Sequence, residues 1–267
     1  MTRALPRPLA EIPAAALRDV IGVMTDIDDT LTREGAIEPA ALRALGDLQA
    51  AGVPVVAITG RPRGWSMPFA QAWPVAAVVA ENGGVALIRD GNHLLTEFAQ
   101  DDIMRDHNAW RLREVAARVL REVPGAQLAQ DSPGRATDIA IDHSEFAHLP
   151  ASAIAQVVAL MEDAGMTATV SSIHINGWFG THSKWTAAQW MLRRLFGREL
   201  EDEIERWIYV GDSPNDQMMF QHFPLSVGVA NLLRFEAELT VWPAHVTQAE
   251  RGEGFAELTG KLLAHRG

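Results

Sequence analysis

The chain has 267 residues, 48% of them apolar and 21% charged, and a formal net charge of -11. That acidic balance gives no general attraction to nucleic acid or to an anionic membrane, so an anionic ligand has to be held by local cations and backbone donors. With no cysteine, disulfides, thiolate catalysis and Cys-based zinc or iron–sulfur sites are excluded.

No window reaches the roughly 18 apolar residues of a spanning helix. Pro6, Pro8 and Pro13 break up the loose N-terminal lead-in before it attains signal-peptide length. A soluble cytoplasmic protein is expected.

An apolar strand is predicted at about 20–26, ending in Asp26-Ile27-Asp28-Asp29-Thr30. Glu38 to Ala51 has apolar spacings of three and four (Leu42, Leu45, Leu48), which predicts a helix that Gly52 can end. A second buried strand over 53–58 delivers Thr59-Gly60-Arg61. A short helix at 64–72 leads to a third strand over 75–80 and then to Glu81-Asn82-Gly83-Gly84. Strand alternating with helix predicts a parallel, doubly wound sheet.

From about residue 88 the pattern changes. An amphipathic helix is predicted at 108–122 (Trp110, Val115, Val119). An alternating strand at 138–142, a helix at 151–164 and a strand region from Thr167 to Ile175 follow. This reads as a small α+β unit inserted into the sheet domain. The earlier pattern then resumes with a helix at 184–196, a strand at 207–210 ending in Gly211-Asp212-Ser213-Pro214-Asn215-Asp216, a helix at 215–222 and a strand at 225–229. The division expected is 1–87 with 183–267 as the sheet core, and 88–182 as the insertion.

Three carboxylates within four residues, 26–29, have two readings. One is a solvated acidic turn; the other is a pair of carboxylates around a hard metal ion. Three strands end in reactive groups: Asp26 and Asp28, Thr59, and Asp212 with Asp216. In a parallel sheet these ends share one edge. Lys184 adds a cation near the return from the insertion, although lysines at the start of surface helices are common.

The ordered set Asp-x-Asp-x-Thr (26–30), Thr59 in Thr-Gly-Arg, Lys184 and Gly-Asp-x-x-Asn-Asp (211–216) resembles the four motifs of the haloacid dehalogenase-like phosphohydrolases. The intervals are 33, 125 and 28 residues from Asp26 through Thr59 and Lys184 to Asp212. The long second interval is similar to members with a large α/β cap, the Cof-type or class IIB branch.

The resemblance implies a Rossmann-like core with an α+β cap, and a Mg²⁺-dependent phosphatase acting on a small phosphorylated metabolite, plausibly a sugar phosphate. It makes Asp26 the nucleophile that forms an aspartyl-phosphate, and Asp28 the acid and then the base. Thr59, Gly60, Lys184 and Asn215 become phosphate-binding groups. Asp26, Asp28 (through its carbonyl), Asp212 and Asp216 become the metal set. Two departures are noted: Asp29 stands where Gly is frequent, and Trp185 follows the lysine where Gly is common.

Two other functions fit the same residues, a phosphomutase of the phosphomannomutase type and a non-catalytic metabolite-binding regulator. Arg61 and Arg63 either reach the substrate or sit exposed after a turn. His174 and His182 flank the return from the insertion. Trp65, Trp178 and Trp185 serve either to stack on a sugar or to pack. The partner expected is a small phosphate ester, with no nucleic acid and no membrane; oligomeric state is not encoded in any of these patterns.

Overall fold

The computed structural model describes residues 5–91 and 93–266. Met1–Ala4, the start of the expected lead-in, lie outside the described residues. A nine-stranded sheet carries the fold. In spatial order its strands are Arg7–Pro8, His245–Val246, Leu225–Gly228, Trp207–Gly211, Gly22–Thr25, Val55–Ile58, Ala77–Ala80, Val85–Asp90 and His93–Phe98. The first seven run parallel; Val85–Asp90 runs against them, and His93–Phe98 pairs antiparallel with Val85–Asp90.

The parallel strands are buried on both faces because helices cover each side. Pro39–Ala50 and Arg251–His265 pack on one face, where Leu45, Leu48, Phe255, Leu258 and Leu262 join Val23, Val55 and Ala57. Lys184–Phe196 and Gln217–His222 cover the other, where Met191, Leu192 and Phe220 meet Met24, Val56 and Tyr209. Each fully buried leucine contributes about 1.5–3 kcal/mol. Gly52 ends the Pro39–Ala50 helix in the left-handed region (φ 69°), as expected.

Three expectations need correction. Residues 88–90 and 93–98, expected in the insertion, pair in the large sheet instead. The chain doubles back antiparallel from Ala80 and turns at Gly91 (φ 58°), so the hairpin extends the sheet edge. Leu42 and Trp110 were placed on apolar helix faces but are 40% and 60% exposed; the buried stripe of the longer helix, Asp102–Glu122, is Leu112, Val115, Ala116 and Val119. The lead-in is packed rather than loose, since Arg7–Pro8 adds an edge strand and Leu9, Ile12 and Leu17 join the core. Its prolines hide that burial from any periodicity count.

Between Phe98 and Lys184 the chain builds a second, antiparallel sheet in the order Thr167–Val170, His174–Trp178, Asp138–Asp142, Gln127–Leu128. The strand region expected over 167–175 is thus a hairpin of two strands. Helices Asp102–Glu122 and Ala151–Asp163 pack on this sheet through Leu112, Val119, Val157 and Met161 against Ile141 and Ile175.

The two sheets' loops meet at the C-terminal edge of the parallel strands. There Gly64 and Gly134 pass backbone to backbone, and a Cβ at Gly64 would lie 3.0 Å from Gly134 Cα. Among the described residues, no helix is long and apolar enough to cross a membrane.

Candidate active site

Parallel strands deliver their C-terminal residues to one edge, and three of them carry the polar groups of the site. The Asp26 amide donates to Val210 O at 2.9 Å, and the Thr59 amide to Val79 O at 2.8 Å, so both residues are held as extensions of their strands. Asp212 follows Gly211, where a Cβ would fall 2.4 Å from Asp216 Oδ2; only glycine leaves room for that carboxylate.

Ser183 caps the Lys184–Phe196 helix through a reciprocal pair of bonds with Thr186. The cap sets Lys184 in the first turn, 4% exposed, with its ammonium at the sheet edge. Nζ donates to Asp26 Oδ1 at 2.5 Å, Asp216 Oδ1 at 2.7 Å and Asn215 Oδ1 at 3.3 Å. This is no surface lysine. Burial opposes its charge, but Asp216 and Asp26 outweigh that and hold its pKa above the usual lysine range.

Asp26, Asp212 and Asp216 each turn one carboxylate oxygen into a space where all three atoms lie within 4.8 Å of one another. Burial raises the pKa of Asp26 despite the Lys184 ammonium. Burial also raises that of Asp212, and Asp26 and Asp216 add to the effect. A buried, oxygen-only set with excess negative charge suits a hard divalent cation.

Asp216, expected in the metal set from sequence, joins that cluster and is held by four donors as well. Lys184 Nζ and Tyr209 Oη (2.5 Å) donate to Oδ1, and the amides of Asp212 and Ser213 donate to Oδ2 at 3.0 and 3.2 Å. Four donors fill the roughly four acceptor positions of a carboxylate. Asp216 therefore also anchors Lys184 and the 211–213 turn, alongside its place in the three-carboxylate cluster.

Asp28 brings no carboxylate to this cluster. Its Oδ1 accepts from Arg61 Nε at 2.9 Å and its Oδ2 from Thr59 Oγ1 at 3.3 Å. Arg61, only 5% exposed, also donates to Asp131 at 3.2 Å and, through both Nη atoms, to Glu145 at 3.2 and 2.8 Å. Burial opposes the guanidinium charge; Asp28 and Glu145 outweigh it. Glu145 is also bonded to His174 at 2.8 Å. Its loop is shaped by Asp142, whose carboxylate accepts the amides of residues 144–147.

The carbonyl of Gly60, a predicted phosphate-binding residue, accepts from Arg135 Nη1 at 2.9 Å and from Asn176 Nδ2 at 3.3 Å. Beside it, fully buried Glu81 (φ 52°) accepts from the amides of Arg63, Ala136 and Thr137 and from the Thr137 hydroxyl. These bonds tie the small sheet's loops to the large sheet.

A sequence model of haloacid dehalogenase-like hydrolases matches residues 23–117. A phosphoglycolate phosphatase from Methanothermobacter thermautotrophicus is 27% identical over 247 residues, covering 90% of this chain and 98% of that protein. The chain thus resembles the haloacid dehalogenase-like hydrolases. Among solved structures, a Thermoplasma acidophilum protein shares 17% identity at a TM-score of 0.69, with 91% of this chain and 98% of that one covered. The sucrose-phosphatase of Synechocystis, solved with sucrose and phosphate, shares 15% at 0.65, with 92% and 98% covered. At these identities the structural likeness speaks for the fold.

Within this site, sequence reading missed Asn231. Its Nδ2 donates to Asp212 Oδ2 at 3.1 Å and to Asp29 O at 2.9 Å, while its Oδ1 accepts the Arg251 amide at 2.9 Å. No short motif in the sequence flags it; its partners lie 19 or more residues away. Both departures from the family pattern find partners. Asp29 adopts the left-handed backbone (φ 54°) that glycine favours and pairs with Arg251 Nε at 2.7 Å. Trp185 stacks on His222 with ring centres 4.0 Å apart.

The tryptophans near the site are packing residues. Trp178 is buried and donates to His182 O, and Trp65 lies under the Arg61 guanidinium at 4.9 Å. A cavity of about 870 Å³ lies by Glu97, Gln100, His182 and Trp190 and contains none of the acidic-loop residues. The acidic-loop residues line two smaller cavities instead.

Proposed function

We propose that this chain is a Mg²⁺-dependent phosphatase that works through an aspartyl-phosphate at Asp26. The buried juxtaposition of Asp26, Lys184 and Asp212 supports the reading most directly. A lone carboxylate beside an incoming phosphate dianion is repelled; a fixed ammonium and a divalent cation offset that repulsion. Asp26, Asp212 and the carbonyl of Asp28 would hold the Mg²⁺, and their all-oxygen, charge-excess environment fits it. When bound, Mg²⁺ neutralises charge on the transferring phosphoryl group.

The chain's own residues perform the proton and bond work. A carboxylate oxygen of Asp26 attacks phosphorus as the bond to the alcohol oxygen breaks, and protonated Asp28 gives its proton to that oxygen. Asp28 then takes a proton from water, which attacks the aspartyl-phosphate, releases inorganic phosphate and restores Asp26. Lys184, Thr59 and Asn215 orient the phosphoryl oxygens. Before the first step Asp28 exchanges its Arg61 partner for the substrate. The four-stranded unit acts as the cap that excludes water, and Asp131, Arg135, Glu145 and Asn176 dock it.

The named activities of the two relatives, on phosphoglycolate and sucrose phosphate, support a small organic phosphate as substrate. Release of inorganic phosphate from p-nitrophenyl phosphate with Mg²⁺, measured on the chain and on Asp26→Asn, tests the proposal. Undiminished turnover by the variant would sink the covalent route. Isomerisation of a hexose phosphate without free phosphate would replace the phosphatase by a mutase.

A further inference from the structure

Two cavities meet at the acidic loop. The narrow one, about 10 Å³, is lined by Asp26, Gly60, Ser171 and Asn215, groups of the proposed phosphoryl centre and the loop above it. The wider one, about 290 Å³, lies alongside, and Asp28, Arg61 and Ile173 line both. An ester with phosphorus over Asp26 and its bridging oxygen toward Asp28 has to project its alcohol portion into the wider cavity. That volume sits at the lower bound of small-molecule pockets and suits a group of a few carbons.

The lining of that cavity carries four carboxylates, Asp28, Asp29, Glu34 and Glu145, against two guanidinium groups, Arg61 and Arg251. Both cations are already engaged. Arg61 donates through all three nitrogens to Asp28, Asp131 and Glu145. Arg251 is paired with Asp29 at 2.7 Å and Glu250 at 3.2 Å. Glu34 makes no hydrogen bond or ion pair among the described residues, and Ser144 adds a hydroxyl. The cavity is therefore rich in acceptors, poor in free donors and negative.

We propose that this cavity receives an uncharged or cationic leaving group that donates hydrogen bonds, a polyol or an amino alcohol, and selects against a leaving group bearing a carboxylate. The assignment rests on the phosphatase reading and separates this chain from its phosphoglycolate-named relative. A carboxylate there meets unpaired Glu34 and finds each cation already balanced by an acidic partner.

The test is a comparison of kcat/KM, with Mg²⁺, for glycerol 3-phosphate, O-phosphoethanolamine and 2-phosphoglycolate, with p-nitrophenyl phosphate as the reference. The expected result is 2-phosphoglycolate at least about tenfold below glycerol 3-phosphate. The first two substrates decide between hydroxyl and ammonium donors. In Glu34→Lys the gap narrows at least about threefold through KM, and in the parent it shrinks as ionic strength rises.

Equal or better turnover of 2-phosphoglycolate overturns the proposal, as does a gap that Glu34→Lys leaves unchanged. If p-nitrophenyl phosphate and all three esters resist hydrolysis, the phosphatase reading itself falls. If the aryl ester is cleaved and 2-phosphoglycolate is preferred, only the leaving-group assignment falls.

Discussion

Two charged clusters flank the acidic loop, and they are held in different ways. The Asp26–Lys184–Asp212–Asp216 cluster belongs wholly to the large sheet, where adjacent strands and one capped helix fix every member. The Arg61–Asp28–Asp131–Glu145 cluster exists only because loops of the two sheets meet. The first is a permanent feature of one unit; the second is a record of contact between two. The two clusters therefore meet at a single residue, Asp28, which neighbours both.

Substitutions can break this pairing of clusters, and the largest effect should come from the first. Asp26→Asn is expected to lower kcat for aryl phosphate hydrolysis by at least about a thousandfold. Its unfolding temperature should be unchanged or higher, since a buried carboxylate is replaced by an isosteric amide. In the second cluster, Arg61→Ala leaves three carboxylates facing one another and should cost about 3–5 kcal/mol in urea unfolding. Glu145→Gln, which keeps the shape, should cost far less and raise KM more than it lowers kcat.

Asn231→Ala sharpens the first cluster's boundary, because it removes the donor on Asp212 without touching the proposed phosphoryl site. An outer partner of a metal-ligating carboxylate is typically worth 10–100-fold in metal affinity or activity. The Mg²⁺ titration of activity should shift by about that factor, and a titration matching the parent's would dissociate Asn231 from the site.

The smallest effect concerns His182, on the return from the small sheet. Burial pulls its pKa down to about 4, and neither ring nitrogen has a hydrogen-bond partner. The folded chain favours the neutral ring. Its contribution is complete above the unfolded pKa of about 6.5 and is lost as pH falls toward 4, on the order of 2 kcal/mol. His182→Phe should flatten the stability profile over that window in denaturant unfolding at a series of pH values.

The first cluster was legible because its members sit at fixed offsets after apolar strands: Asp26, Thr59 and Asp212 each follow four or five buried residues. The second was not. Arg61 follows a turn in sequence, and only the arrival of Asp131 and Glu145, 70 and 84 residues on, makes it buried. The spacing placed Asp216 beside Asp212, but it could not reveal the four donors that hold it. The boundary at residue 88 failed for a related reason. Val85–Asp90 turns back along its neighbour, and antiparallel edge strands look alike whether they close one sheet or open another. Asn231 needs three partners from three segments, and a linear pattern holds no trace of that.

The back-to-back passage of Gly64 and Gly134 gives the two sheets a contact with no side chain between them. A methyl group at Gly134 would stand 3.2 Å from Gly64 Cα. Closure at this seam thus has a mechanical tolerance of less than one carbon atom. Alanine, valine and leucine at position 134 would act as wedges of rising thickness and hold the mouth of the site at graded apertures. Such a series would convert molecular volume at one backbone crossing into a gauge of how wide the entrance must stand for a given phosphate ester to pass.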